Sequence, residues 1–300
     1  MTPLYINYVR KNNIFLIYIH DANQKKYIDS RNRTSDSISS SNFKIALAQT
    51  LQMPDNTVFF VTDICMPHVF QLIEAGVNDR LYYRYSAPRA TNQYSINPYY
   101  IVITLPSGGQ PSGTSLATAI QTAMNANVNP QSAISFTATW DSSQYSINVA
   151  TVGENTSFKF LTEEEIVFNA IWWTGDFDPS NTKSANDILK IDTPQFQSNS
   201  FVSDFIQLQP INNVYITSPN LGSFDTIASF SNNVIRKVPI NVPYGYMIVD
   251  QSGTNNDFLD CSKQTLRTIE FHFKDSRGRF VNMHGLNVSF SLVFNKFNMN

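Results

Sequence analysis

The chain has 300 residues, 42% of them hydrophobic, which excludes a disordered polypeptide and allows a sizeable core. Charged residues make up only 15% and the net charge is −2, against roughly 25% charged residues in an average soluble protein. Lys and Arg are scattered and form no stripe that would track phosphates, so direct nucleic-acid binding is not expected.

The first elements are strands. Residues from Tyr27 to Leu47 begin as a strand, break into a polar tract, and resume with Phe43, Ile45 and Leu47 alternating against Asn42, Lys44 and Ala46. The break carries Ser30, Thr34, Ser35, Ser37, Ser39, Ser40 and Ser41 together with Arg31 and Arg33. "TVFFVTDICM" is apolar on both faces, as a central sandwich strand is. "YYIVITL" is a further strand, ended by Pro106.

A helix follows. Leu116, Ile120, Ala123 and Met124 fall on one helical face, with Ser112 or Thr114 as cap and Asn127 and Pro130 at the end. Ile134, Phe136, Ala138 and Trp140 then alternate along a strand, and Tyr145, Ile147 and Val149 along the next, after the turn "DSSQ". "TEEE" is a capping box that opens a short helix, with Thr162 as cap and Glu165 three residues on. Residues 82–175 therefore read as a compact α+β unit inserted in an otherwise mainly β chain.

Near the C-terminus Ile269, Phe271 and Phe273 alternate with Glu270, His272 and Lys274. "DSRG" turns the chain, Val281 and Met283 continue, and Val288, Phe290, Leu292 and Phe294 follow after Gly285. Three consecutive antiparallel strands at this spacing predict a β-sandwich or jelly roll.

Few residues carry recognisable chemistry. His20, His68, His272 and His284 show no local metal-ligand spacing, and no G-x-S-x-G elbow is present. "GGQPSG" at Gly108 to Gly113 lacks the G-K-[ST] of a phosphate loop and reads as the turn before a helix. Glu163, Glu164 and Glu165 suit the positive end of a helix dipole. No catalytic residue, cofactor or metal is expected. Trp172 and Trp173 form either an anchor at a domain junction, one ring buried and one covering a seam, or a sugar-stacking platform. Cys65 and Cys261 match no redox or metal spacing; two reduced, buried thiols of an intracellular protein are expected, with one disulfide between them as the alternative. The N-terminal stretch has no run suited to a signal peptide, no apolar run approaches the roughly 20 residues of a membrane span, and the sequons at Asn32, Asn155 and Asn287 read as chance matches in an Asn-rich chain.

Three blocks taken in order resemble the penton, or minor capsid, proteins of the virophage and Polinton-like lineage of double-stranded DNA viruses, related in plan to the adenovirus penton base. They are the opening strand with "IDSRNRTS…SNFKIAL" and "MPHVF"; "ITLPSGGQPSGTSLATAIQTAMN…FTATWD…YSINVA…FKFLTEEE"; and "INNVYITSPNLGSF…VIRKVPINVPYG" with "LRTIEFHFKDSRGRFVNMHGLNVSFSLVF". The resemblance implies a single jelly roll formed by residues 1–81 and 176–300, carrying 82–175 as an upper domain. It also implies five copies at each icosahedral vertex of a virion assembled inside an infected host cell, set among a major capsid protein of double-jelly-roll type. No Arg-Gly-Asp triplet is present, so integrin binding is not implied. Arg31 and Arg33 have planar donor forks suited to interface carboxylates or carbonyls, on a tract whose serines leave it flexible until it docks. The alternative function is a β-sandwich adhesin that binds a carbohydrate or a host receptor. A sandwich-fold hydrolase would need two placed carboxylates, and none is identifiable.

Overall fold

The computed structural model describes residues 10–11, 14–18, 24–88, 98–109, 111–173, 177–221, 233–253 and 257–296. The chain divides into two units, one from Met1–Phe70 and Ile211–Asn300, the other from Gln71–Pro210. The first unit opens with β1 (Arg10–Lys11), β2 (Ile14–Tyr18), β3 (Gln24–Asp29), β4 (Asn42–Gln52) and β5 (Thr57–Pro67). The second contains β6 (Arg80–Ser86), β7 (Tyr99–Thr104), α1 (Gly113–Ala126), β8 (Ser135–Asp141), β9 (Ser146–Val152), β10 (Ser157–Phe160), α2 (Glu163–Phe168), α3 (Asn186–Leu189) and β11 (Ser200–Val202). The chain then returns to the first unit as β12 (Asn213–Thr217), β13 (Val234–Pro239), β14 (Met247–Asp250), β15 (Leu259–Asp260), β16 (Thr265–Lys274) and β17 (Ser289–Lys296).

The first unit is a jelly roll. One sheet has the order β1-β2-β4-β16-β12-β13, the other β14-β5-β17-β3, with β15 also on β5. Numbered one to eight in chain order, β3, β4, β5, β12, β13, β14, β16 and β17 give strand orders 1-8-3-6 and 2-7-4-5, the double Greek-key arrangement of that fold. The second unit enters between the third and fourth of these strands. The alternation read in the sequence explains the sandwich: Phe43, Ile269, Phe271 and Phe273 from one sheet and Phe59, Phe290, Leu292 and Phe294 from the other are buried in one core. At the edge of the unit Arg236 on β13 ties three segments together, with Asp250 at 2.9 Å, Asp257 at 2.8 Å and Ser252 at 2.7 Å.

Two expectations for the C-terminal region are corrected. Residues 281–283 form no strand; only Phe280 bridges back to Lys274, while Val281 and Met283 are buried in the core. Moreover β16 and β17 do not pair with each other. β16 pairs β4 and β12, and β17 pairs β5 and β3. In this jelly roll the last two strands belong to opposite sheets, so residues 275–288 cross the edge of the sandwich instead of closing a hairpin.

The inserted unit is also wider than 82–175. β11 extends the sheet of β8 and β9, and Asn186 Nδ2 donates to the Leu161 carbonyl at 2.8 Å, which ties the segment after residue 175 to the insert. A three-residue strand is too short to leave a periodic signal. Within the unit, β10-β6-β7 and β11-β9-β8 form two three-stranded sheets. Leu116, Ala117, Ile120 and Met124 of α1 are buried in the unit's core with Phe136 and Val149. Ser112 caps α1 by accepting from the Ser115 N–H at 3.1 Å. Gly113 is required at the first turn because a Cβ there would lie 2.1 Å from the Trp140 ring.

Candidate functional site

The residues singled out in the sequence fall in both units. Arg31 and Arg33 belong to the jelly roll. Asp29 ends β3 and caps a 3-10 turn over Ser30–Asn32, accepting from the Arg31 N–H at 2.9 Å. The exposed Arg31 guanidinium folds back on the same carboxylate, with Nε 3.0 Å from both oxygens; these hydrogen bonds hold the Asp29 carboxyl below its ordinary range. Arg33 Nη1 donates to the Ser30 carbonyl at 2.9 Å and to Asn287 Oδ1 at 3.4 Å.

The polar tract is not loose. Ser30 Oγ accepts from the Val288 N–H at 3.0 Å, Ser37 Oγ from the Lys44 N–H at 2.9 Å, and Ser39 Oγ from the N–H groups of Ser41 and Asn42. Its serines serve as local acceptors for backbone donors that strand pairing leaves over. Arg33, Ser39, Ser40 and Ser41 line a hollow of about 340 Å³ with Phe280 and Asn282.

Trp172 and Trp173 lie wholly within the inserted unit. Alternation along β6 sends Tyr83 and Tyr85 into the main core and Tyr82 to the opposite face. There α2 and the following 3-10 turn (Ala170–Trp172) cover the sheet. Trp173 is buried, donates through Nε1 to the Ile166 carbonyl at 2.8 Å, and meets Tyr82 edge-on with centroids 4.9 Å apart. Trp172 is 57% exposed and stacks on Tyr100, with centroids 5.5 Å apart and planes 3° from parallel. One ring is thus buried and one open, and both belong to a local cluster of this unit.

α2 itself is held at its start. Thr162 and Glu165 complete the capping box. Glu165 also pairs with the buried Lys159, whose Nζ reaches the Gln195 carbonyl at 3.3 Å. Glu163 accepts from Thr182 at 2.6 Å and from Ser184. Glu163 and Glu165 are therefore spent on structure.

One face of the β10-β6-β7 sheet was not singled out by residue type. Arg84 on β6 stands in register between Lys159 on β10 and Tyr100 on β7. Its Nε is buried without a hydrogen-bond partner. In the next row Gln197 Nε2 donates to Ser86 Oγ at 2.9 Å and Ser157 Oγ at 3.0 Å. The period of two in "LYYRYS" already places Tyr82, Arg84 and Ser86 on one face. What covers that face was not legible.

Among the described residues no three His, Cys, Asp or Glu side chains gather as a metal site, and no helix is long and apolar enough to cross a membrane. His68 is buried with Nδ1 2.8 Å from the Val242 carbonyl, and His272 pairs with Glu270 at 2.8 Å; His20 lies outside the described residues. Cys65 and Cys261 are both free; Cys261 is buried as expected, whereas Cys65 is half-buried because it points outward from β5.

Fold and site together define a jelly-roll protein with an inserted α+β unit that carries an aromatic and cationic surface. Among solved structures the chain is similar to the mavirus penton protein, with a TM-score of 0.43 and 13% identity over 91% of this chain and 100% of that one. It is likewise similar to a chain of the Sputnik virophage solved by cryo-EM, with a TM-score of 0.41 and 13% identity over 92% of this chain and 98% of that one. No protein-family profile and no curated protein matches the chain.

Proposed function

We propose that the chain is a structural virion protein, a penton subunit that forms the five-fold vertices of an icosahedral capsid and has no catalytic role. The observation that carries this reading is topological. The 1-8-3-6 and 2-7-4-5 sheets, with a folded unit inserted between the third and fourth strands, match the plan implied by the three sequence blocks. Among the described residues the two sheets end at β1, β13, β14 and β3, and such edge strands are available for pairing or packing. Head-to-tail contacts between such flanks close into a ring when the rotation between neighbours divides the circle. The partners are other copies of the chain, as a homopentamer, and a double-jelly-roll major capsid protein, joined inside the infected cell. Arg31, Arg33 and the hollow beside Arg33 are the proposed docking points for a neighbouring subunit.

Light scattering of the purified chain, alone and mixed with the major capsid protein, tests the reading. A particle of five 33.9 kDa chains, seen as a ring by negative stain in either condition, supports it; a monomer that ignores the capsid protein overturns it. Charge reversal of Arg31 and Arg33 lowers incorporation into particles if these residues dock, and normal incorporation rejects that role.

A second reading, a carbohydrate- or receptor-binding module, is favoured by the exposed Trp172 on the inserted unit. The two are compatible, since a vertex subunit also presents a surface to the host.

A further inference from the structure

The Arg84 face of the inserted unit is an unusual combination of groups. Arg84 makes no hydrogen bond or ion pair through its side chain with any described residue, and its Nε is dry. Its cationic neighbour Lys159 is already neutralised by Glu165. Nε itself is closed to solvent, but the side chain is only half-buried, so the guanidinium charge remains open to an anion. On one side of Arg84 the parallel Tyr100–Trp172 stack offers a half-open aromatic surface. In the next row along the strands Ser86 and Ser157 both accept from Gln197 Nε2, so each hydroxyl keeps its own O–H to donate.

We propose that this surface binds an acidic saccharide. The apolar face of a pyranose ring lies on Trp172, where dispersion and area burial hold it. The sugar's carboxylate or sulfate meets the Arg84 fork, and ring hydroxyls meet Ser86 and Ser157. A neutral sugar offers the guanidinium no opposite charge, so the anionic group sets the preference. The inference concerns the inserted unit alone and stands whether or not the jelly roll assembles into a ring.

The test uses the full chain and four probes: 3′-sialyllactose, a sulfated lactose, lactose, and inorganic sulfate. Saturation-transfer NMR and quenching of tryptophan fluorescence report binding. The expected result is that one or both acidic trisaccharide or disaccharide probes bind, with lactose weaker by about tenfold or more, the size of one charge-assisted bidentate contact. Preference for the sialylated probe assigns the anion as carboxylate, and preference for the sulfated one as sulfate. Arg84→Gln removes the preference for acidic over neutral sugar. The surface variant Trp172→Ala, which leaves the core untouched, weakens binding of every sugar while leaving inorganic sulfate unaffected. Equal binding of lactose, binding unchanged in both variants, or no binding of either acidic sugar at millimolar concentration overturns the proposal.

Discussion

Phe271 and Phe290 meet edge to face, with ring centroids 4.9 Å apart and planes at 84°, and each comes from a different sheet of the jelly roll. This contact joins β16 to β17, which adjoin in sequence but share no hydrogen bond. Side-chain packing, not a hairpin ladder, holds the last two strands together. Phe271→Ala opens a cavity at this point and costs about 3–5 kcal/mol. Phe280→Ala, on the half-exposed crossing between the same strands, costs less than about 1 kcal/mol. Urea unfolding of the two variants checks the contrast; equal losses would show that the core contact is not what joins the sheets.

The adjacent tryptophans separate in the same way. Trp173→Ala removes a buried ring and leaves the Ile166 carbonyl without its donor, at a cost of about 3–5 kcal/mol. Trp172→Ala loses half a stacking contact and costs about 1 kcal/mol. Thermal melts followed by tryptophan fluorescence measure both.

Lys159 and Glu165 form an ion pair whose lysine side chain is only 8% exposed. Glu165→Ala strips the capping box and strands the ammonium, so it costs about 3 kcal/mol or more. Thr162→Ala loses the cap alone and costs about 1 kcal/mol. Pairing Lys159→Met with Glu165→Gln recovers most of the larger loss, because no buried charge is then left without a partner. Failure of the double variant to recover would reject the ion pair as the cause.

Acid sensitivity follows from Asp250. Burial alone would raise its carboxyl, but the Ser252 hydroxyl and N–H and the Arg236 guanidinium outweigh burial and hold it below its ordinary value. A carboxyl lowered in the folded state binds its proton later than the unfolded chain does. Its stabilising contribution is thus complete above about pH 4, the ordinary carboxylate range, and is lost as the pH falls further. Asp250→Asn is expected to lower stability at neutral pH and to flatten the fall in unfolding midpoint between pH 4 and pH 2, which titrated urea curves would show.

Thiol chemistry distinguishes the two cysteines. Burial pushes the Cys261 thiol up to about 12, and its Sγ lies 3.5 Å from the Thr57 carbonyl. A disulfide reagent at pH 8 is expected to label one thiol per native chain, at Cys65, and the second only on unfolding. Rapid labelling of Cys261 in the native protein would contradict its burial.

Local features were determined by the sequence itself. Period-two runs fixed β4, β8, β9, β16 and β17, and a run apolar on both faces fixed β5; the Ser112 cap and the Thr162–Glu165 box marked the helix starts. These signals are short-range, because cap and strand propensities depend on neighbours within a few residues. Tertiary structure decided the rest. The partner of each strand depends on contacts across most of the chain, so an apparent hairpin at 269–294 resolves into strands of opposite sheets. The same reason extends the insert to Pro210, where short β11 finds β9. It also decides which tryptophan is buried and leaves Arg84 Nε without a partner among the described residues, between Lys159 and Tyr100. Alternation assigns a side chain to a face, but only the packing of α2 over that face determines whether the side chain finds a partner.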